Sequence, residues 1–280
     1  DLVFPKLHVR FSAASPKAYL EKIASMVLGG HAVFAMFNDD AAIPVFQKMG
    51  YPIDRARDYV CTGCWDGNVD SMTDVDCANY MSVIRVIEAT IHRDEAAAAK
   101  VGLRLDPIDG AKSYDEVERI IFANFLRFLR DTCADYVRYG RSGAKVFPHP
   151  VYSMCLDGGI ETRRDTTDGG VRFRPRVMTL AFLANAVDSL CAIRKVVFED
   201  RFCTLDEFLA AVRANWKGAR AQAIRGEVLK APYWGDNSDE SVSLMAWFMR
   251  RTYEDVRGFP TDMGGTYKLA IFTYREVMYW

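Results

Sequence analysis

Apolar and polar side chains alternate along Lys6-Leu7-His8-Val9-Arg10-Phe11, as they do in a half-buried strand. Ser15-Pro16 then predicts a helix start, with the serine as cap and the proline at the first helical position. Gly29-Gly30 ends that helix after Leu28. The apolar run 32–37, with β-branched Val33, predicts a buried strand that delivers Asn38-Asp39-Asp40 to its C-terminal end. A short helix over 42–49 leads to Gly50. In Asp58-Tyr59-Val60-Cys61-Thr62-Gly63-Cys64-Trp65-Asp66-Gly67, strand-like residues run into Gly63, and a carboxylate follows Cys64 by two positions. Glycines on both sides allow a sharp turn and close backbone approach, which places a thiol and a carboxylate at the tip of a tight loop.

Two later helices are marked by capping boxes: Ser113 with Glu116, running to 139, and Thr204 with Glu207, running to 216 before Gly218. Residues 180–200 are apolar at helical spacing, residues 238–256 form an amphipathic helix, and 266–274 close as a strand. The longest irregular stretch, 147–176, holds Pro148, Pro150, Gly158-Gly159 and Gly169-Gly170, and is expected to be a substrate-side or packing loop. Strands and helices alternate with no repeat, low-complexity tract or linker, which predicts one α/β unit.

Composition narrows the classes. With 280 residues, half of them hydrophobic, the chain can bury a substantial core. Thirty-six basic and 37 acidic side chains leave a net charge of −1, so neither nucleic acid nor an anionic membrane is an implied partner. No apolar run reaches the length of a membrane span, and the first residues lack a signal-peptide pattern. Seven irregularly spaced cysteines favour reduced thiols and a cytoplasmic location over a disulfide framework. The start at Asp1 and the aromatic finish at Tyr279-Trp280 lead us to expect a fragment of a longer protein.

Several chemistries compete for the cysteines. Cys61 and Cys64 have the spacing of a redox pair or half a zinc site. A redox pair belongs at a helix start, whereas here a strand precedes the motif and Asp66 adds negative charge, which raises a thiol pKa. A zinc site needs two more ligands, and the other cysteines and the four histidines show no ligand spacing, so no metal is expected. Nucleophilic catalysis by Cys64 requires a basic partner that His8, His31, His92 and His149 do not supply in sequence. Hydrogen-atom abstraction needs no thiolate. It needs a sulfur radical close to a substrate C–H, with water excluded and a carboxylate placed for proton transfer. Asp39, Asp40 and Asp76 also fit the turn and cap roles common for aspartates near strand ends, and Asp236 to Glu240 reads as a helix start rather than a calcium loop.

Leu7-His8-Val9-Arg10 before Ser15-Pro16, Phe37-Asn38-Asp39-Asp40, Ala56-Arg57-Asp58-Tyr59 leading to Gly63-Cys64, and Asp76-Cys77-Ala78-Asn79-Tyr80 share an order and approximate spacing with one family. So do Asp165-Thr166-Thr167-Asp168-Gly169-Gly170, the stretch from Asp188 to Val197, and Tyr233-Trp234-Gly235-Asp236-Asn237. Over nearly its whole length the chain resembles the glycyl radical enzymes, the superfamily of pyruvate formate-lyase and the diol dehydratases. The resemblance implies an α/β fold, with residues 1–280 forming part of a ten-stranded α/β barrel and Cys64 on an interior loop. It implies that a glycyl radical oxidises Cys64 to a thiyl, which takes hydrogen from a small polar substrate in a dehydratase or C–N/C–S lyase reaction. Asp66 would move a proton, Asp76 would match the substrate-hydroxyl-binding aspartate, and Trp65, Asn38 and Asp39 complete the substrate-binding set.

No cofactor is expected to bind this chain directly. The radical is installed by a partner activase that uses S-adenosylmethionine and an iron–sulfur cluster, and a homodimer is an allowed assembly. Family members are about three times this length and carry the radical glycine in an Arg-Val-x-Gly motif. No such motif occurs here, so an interior piece, inactive alone, is expected. The dehydratases usually read Gly-Cys-Val-Glu where this chain has Gly63-Cys64-Trp65-Asp66, an acid shorter by one methylene. Trp65 makes an arylacetate-type decarboxylase the alternative within the family, beside formate C-acyltransferase-like activity. A thiol-redox enzyme and a non-catalytic paralogue are the alternatives outside it.

Overall fold

The structure is a computed structural model that describes residues 7–31, 34–62, 66–69, 76–94, 96, 98, 103–262, 264–265 and 267–272. Helices and strands mix along the chain, and among the described residues seven strands lie in three sheets of two, two and three strands. Two compact units account for the packing: residues 1–75 with 148–173, and residues 76–147 with 174–280.

In the first unit, β1 (Leu7–Phe11) pairs in parallel with β2 (Phe34–Asn38), Arg10 opposite Phe37 and Phe11 opposite Asn38. The crossover between them is α1 (Lys17–Leu28). Its start differs from expectation. Pro16 occupies the cap position with extended geometry and no side chain caps the helix; the Ser15 hydroxyl instead accepts the Ser12 N–H at 3.0 Å. A residue before proline is pushed out of the helical region, which turns Ser15 back toward the preceding turn. Helix α2 (Asp39–Lys48) begins three residues ahead of the expected 42, because the Asn38 side chain accepts the Asp40 N–H at 3.0 Å and starts it directly off the strand. After α3 (Ile53–Arg57), β3 (Tyr59–Thr62) and β4 (Asp66–Val69) form an antiparallel pair. Phe46, Tyr51, Ala56, Tyr59 and Val69 make the core of this unit, joined by Phe37, Ile43, Met49 and Phe173.

The long irregular stretch is a loop built from short turns, with many of its side chains exposed. It contains two short helices, Pro150–Met154 and Gly159–Thr162, and a 3-10 turn at Thr166–Asp168. The Asp165 carboxylate organises it, accepting the His149 N–H, the Ser153 hydroxyl, the Thr167 N–H and the Thr167 hydroxyl at 2.6–2.9 Å. Burial works against this carboxylate, yet these donors hold its pKa below the usual range. A Cβ on Gly170 would lie 2.0 Å from the Arg164 carbonyl oxygen, so only glycine fits that crossing.

In the second unit, β5 (Asp76–Ser82), β6 (Arg176–Ala181) and β7 (Tyr267–Phe272) form a parallel sheet with β6 in the middle and buried throughout. Around its core lie α4 (Val83–His92), α5 (Tyr114–Val146), α6 (Leu183–Ile193), α7 (Leu205–Arg213), α8 (Ala219–Val228) and α9 (Asp239–Val256). Val86, Ile87, Ile121, Phe125, Leu129, Leu183, Leu209 and Phe248 are among the buried residues. The expected helix over 180–200 is corrected: Leu180 and Ala181 finish β6, Phe182 turns the chain at φ 58°, and α6 is followed by a π-helical turn at Arg194–Glu199. A central parallel strand is apolar on both faces, so its periodicity merges with that of the helix after it. Helix α5 runs on to Val146 rather than stopping at 139, and α7 stops at Arg213, because Asn215 and Trp216 adopt positive φ. Among the described residues, no helix is long and apolar enough to cross a membrane.

Candidate functional site

Strands β3 and β4 pair so that Tyr59 opposes Val69, Cys61 opposes Gly67, and Thr62 opposes Asp66. The ends of the candidate loop are therefore register partners. Between them in sequence stand Gly63, Cys64 and Trp65, which lie outside the described residues. The backbone of Asp66 opens β4, while its side chain lies outside the description. Asp76 opens β5 opposite Arg176, again with its side chain outside the description. Asp66 belongs to the first unit and Asp76 to the second.

Asn38 and Asp39 are fully visible, and both are engaged in the framework. The Asn38 side chain caps α2. The Asp39 carboxylate receives Arg10 in a two-pronged ion pair, Nε to Oδ1 at 2.9 Å and Nη2 to Oδ2 at 3.0 Å. The Tyr59 hydroxyl donates to the same carboxylate at 2.6 Å. Arg10 has further donors aimed at β3 and the residue run before it: Nη1 reaches the Tyr59 carbonyl at 3.1 Å and Nη2 the Arg57 carbonyl at 2.9 Å. Its guanidinium lies 3.9 Å from the centroid of the Tyr59 ring. Next to it, Asp40 accepts the Ala13 N–H at 2.7 Å.

The electrostatics follow from this geometry. Burial pushes the Asp39 pKa up, but the hydrogen bonds from Arg10 and Tyr59 outweigh it, and the carboxyl sits below its ordinary range. Burial and the bond to Asp39 push the Tyr59 phenol well above its ordinary value, so it stays a donor. Cys61, a free thiol on β3, is pushed up mainly by burial; Arg10 acts against this and Asp39 adds to it. A protonated Cys61 is a poor thiolate nucleophile, which counts against a low-pKa redox pair.

Arg10 and Tyr59 stand within the sequence motifs, but the pattern of residues alone assigns them no role. The available signal was an arginine near the end of one strand with an acid just past the end of its parallel partner. Gly67 also has a packing reason beyond the turn. A Cβ there would lie 3.3 Å from the Phe46 ring and 3.4 Å from the Tyr59 ring, so β4 lies close against this aromatic pair.

A family described as Pyruvate formate lyase-like matches residues 1–280. The trans-4-hydroxy-L-proline dehydratase of Clostridioides difficile is 26% identical over 272 residues, covering 96% of this chain and 34% of the relative. The isethionate sulfite-lyase of Bilophila wadsworthia is 26% identical over 247 residues, covering 85% of this chain and 29% of the relative. The crystal structure of the C. difficile hydroxyproline dehydratase with its substrate superposes with a TM-score of 0.86 at 24% identity, over 96% of this chain and 34% of that one, a likeness of fold. The chain thus spans about a third of the length of these relatives. A match along its entire length shows that the chain belongs to the pyruvate formate lyase-like family, within the glycyl radical enzyme superfamily.

Proposed function

We propose that this chain carries the cysteine loop of a glycyl radical enzyme that eliminates a leaving group from a small polar substrate. The observation that carries the reading is the whole-chain family match, together with a hairpin whose paired ends, Thr62 and Asp66, bracket Cys64 in sequence. In this reading both compact units belong to one ten-stranded α/β barrel domain, with Cys64 on an interior loop. The radical glycine lies outside these 280 residues and is installed by an S-adenosylmethionine activase; when present it supplies the oxidising equivalent at the Cys64 sulfur. The chain's own part fits such chemistry. Tyr59, Asn68 and Val69 on the flanking strands are at most 3% exposed, so one face of the pair that brackets the thiol in sequence is packed away from water.

Cys64 takes a hydrogen atom from a substrate carbon and becomes S–H, leaving a carbon radical. The bond from the neighbouring carbon to the leaving group then breaks. Asp66 moves the proton that accompanies departure, Asp76 and Trp65 orient the substrate, and Cys64 returns the hydrogen atom to the product radical. Elimination is favoured over the alternatives because the relatives described above are named as a dehydratase and a sulfite-lyase. The test is to express the full open reading frame that encodes this chain, activate it anaerobically, record its EPR spectrum, and screen diols, hydroxylated amino acids and hydroxysulfonates for product. A glycine-centred doublet with elimination products supports the reading. Good activation conditions without that doublet would move the assignment to a thiol enzyme or a non-catalytic paralogue.

A further inference from the structure

Arg10, Asp39 and Tyr59 form a closed three-residue clamp, and its place in the chain is informative. Arg10 is the penultimate residue of β1, Asp39 follows directly on β2, and Tyr59 opens β3, which ends at Thr62 immediately before the cysteine loop. Every donor of the Arg10 side chain that is seen to bond goes to Asp39 or to the chain segment of Arg57 and Tyr59. The two carbonyls it holds belong to the residue before Asp58 and to the first residue of β3. Their position therefore fixes where the strand begins and at what angle it runs. Tyr59 is 2% exposed, and its ring packs near the Arg10 guanidinium and the Phe37 and Phe46 rings, the latter two at 6.2 and 5.3 Å centroid distance. Among the described residues Asp39 is the acceptor for the Tyr59 hydroxyl, so the carboxylate that pairs with Arg10 also holds the phenol.

The balance of charge suits a part that must not move. A planar guanidinium can pair with a carboxylate through two parallel bonds and still present N–H groups to backbone oxygens, which an ammonium cannot do. At 33% and 24% side-chain exposure the Arg10–Asp39 pair is too accessible to be costly to bury and too enclosed to be freely hydrated. We propose that Arg10, Asp39 and Tyr59 are positioning residues for the radical cysteine, setting through β3 the distance between the Cys64 sulfur and the substrate hydrogen. This rests on the radical-enzyme reading given above. Hydrogen-atom transfer falls off steeply with donor–acceptor distance, and a displacement of about 1 Å can cost about 10²-fold in rate.

The test uses the full-length activated protein with two variants. R10K keeps the positive charge but loses the fork, and Y59F removes only the hydroxyl bond to Asp39. For each, glycyl radical per protein is measured by EPR, kcat and KM are measured per radical well below the unfolding temperature, and the isotope effect with substrate deuterated at the abstracted position is determined. Hydrogen exchange is followed over 59–69. The clamp predicts radical content equal to wild type and KM within about twofold. It predicts a loss in kcat of about 10-fold or more in R10K, a smaller one in Y59F, a larger isotope effect, and faster exchange in the hairpin. If kcat per radical and the isotope effect stay at wild-type values, the proposal is overturned, even when the variants melt earlier. If R10K does not fold, Y59F decides by the same readouts. Failure of the underlying reading looks different: a C64A variant that still turns over removes the radical cysteine and leaves the clamp a structural feature only.

Discussion

Asp262 and Gly140 supply a stability prediction whose sign reverses with background. Asp262 forms a buried ion pair with Arg176 on the central strand β6: their side chains are 2% and 3% exposed, Nε meets Oδ1 at 2.8 Å, and Nη2 faces Oδ2. The guanidinium also lies 5.6 Å from the Tyr136 ring centroid. Gly140 sits inside α5, and a Cβ there would fall 2.2 Å from Asp262 Oδ2 and 2.8 Å from Asp262 Cβ and Cγ. Gly140→Ala should gain about 1 kcal/mol of helix propensity. It must also force Asp262 off Arg176, and breaking a buried pair costs about 3–5 kcal/mol. The net expectation is a loss of about 2–4 kcal/mol. In an Asp262→Gly background the obstacle is gone, and G140A should become neutral or stabilising by up to about 1 kcal/mol. Glycine is the correct replacement at 262, because an alanine there would keep the Cβ that lies 2.8 Å away. Urea unfolding of the four proteins of the cycle, followed by tryptophan fluorescence, measures both differences. Equal destabilisation by G140A in both backgrounds, or stabilisation in the wild type, would refute the reasoning.

Further predictions concern a helix cap, an acid-sensitive pair and the Cys61 thiol. Thr204 and Glu207 cap each other at the start of α7, with N–H to side-chain distances of 3.2 and 3.0 Å, so T204A should cost about 1 kcal/mol in unfolding experiments and T204S much less. Hydrogen bonds from Arg93, and then from Arg213, hold the Asp109 pKa below its ordinary value despite burial. A depressed carboxylate contributes stability that is complete above its unfolded pKa of about 3.9 and is lost as pH falls through the folded value. D109N should therefore flatten the acid side of the stability profile, measured as unfolding midpoint between about pH 5 and pH 2. Cys61 should react slowly with iodoacetamide at neutral pH and faster as pH rises, because its thiol is held protonated. R10M should slow it further, since Arg10 is the group that lowers its pKa.

Much of the fold was legible where local chemistry and tertiary demand agree. Leu7 to Phe11 is β1, although its burial does not alternate and Leu7 is exposed; Ser238 caps α9 as its position suggests, and Thr204 with Glu207 marks α7. The failures have physical causes. Leu180 and Ala181 belong to a strand covered on both faces, where burial erases the period-two signal that would separate it from α6. Residues 219–228 form α8 while burying only Ala221 and Ile224, too few apolar positions to announce a helix. The site was legible as a motif rather than as geometry. Asn38 and Asp39 stand where the sequence drew attention, at the end of β2, but their visible bonds go to a helix N-terminus, to Arg10 and to Tyr59. Which partner an aspartate finds across 20 or 29 residues is a tertiary fact that spacing does not carry.

The central claim is that Cys64 is the sulfur that takes hydrogen from the substrate. Its most direct test is C64A in the full-length, anaerobically activated protein, with the glycyl radical quantified by EPR and turnover assayed on the same sample. The account predicts a radical signal equal to that of the wild type and no product. Product formed by C64A at a rate near the wild type would contradict it.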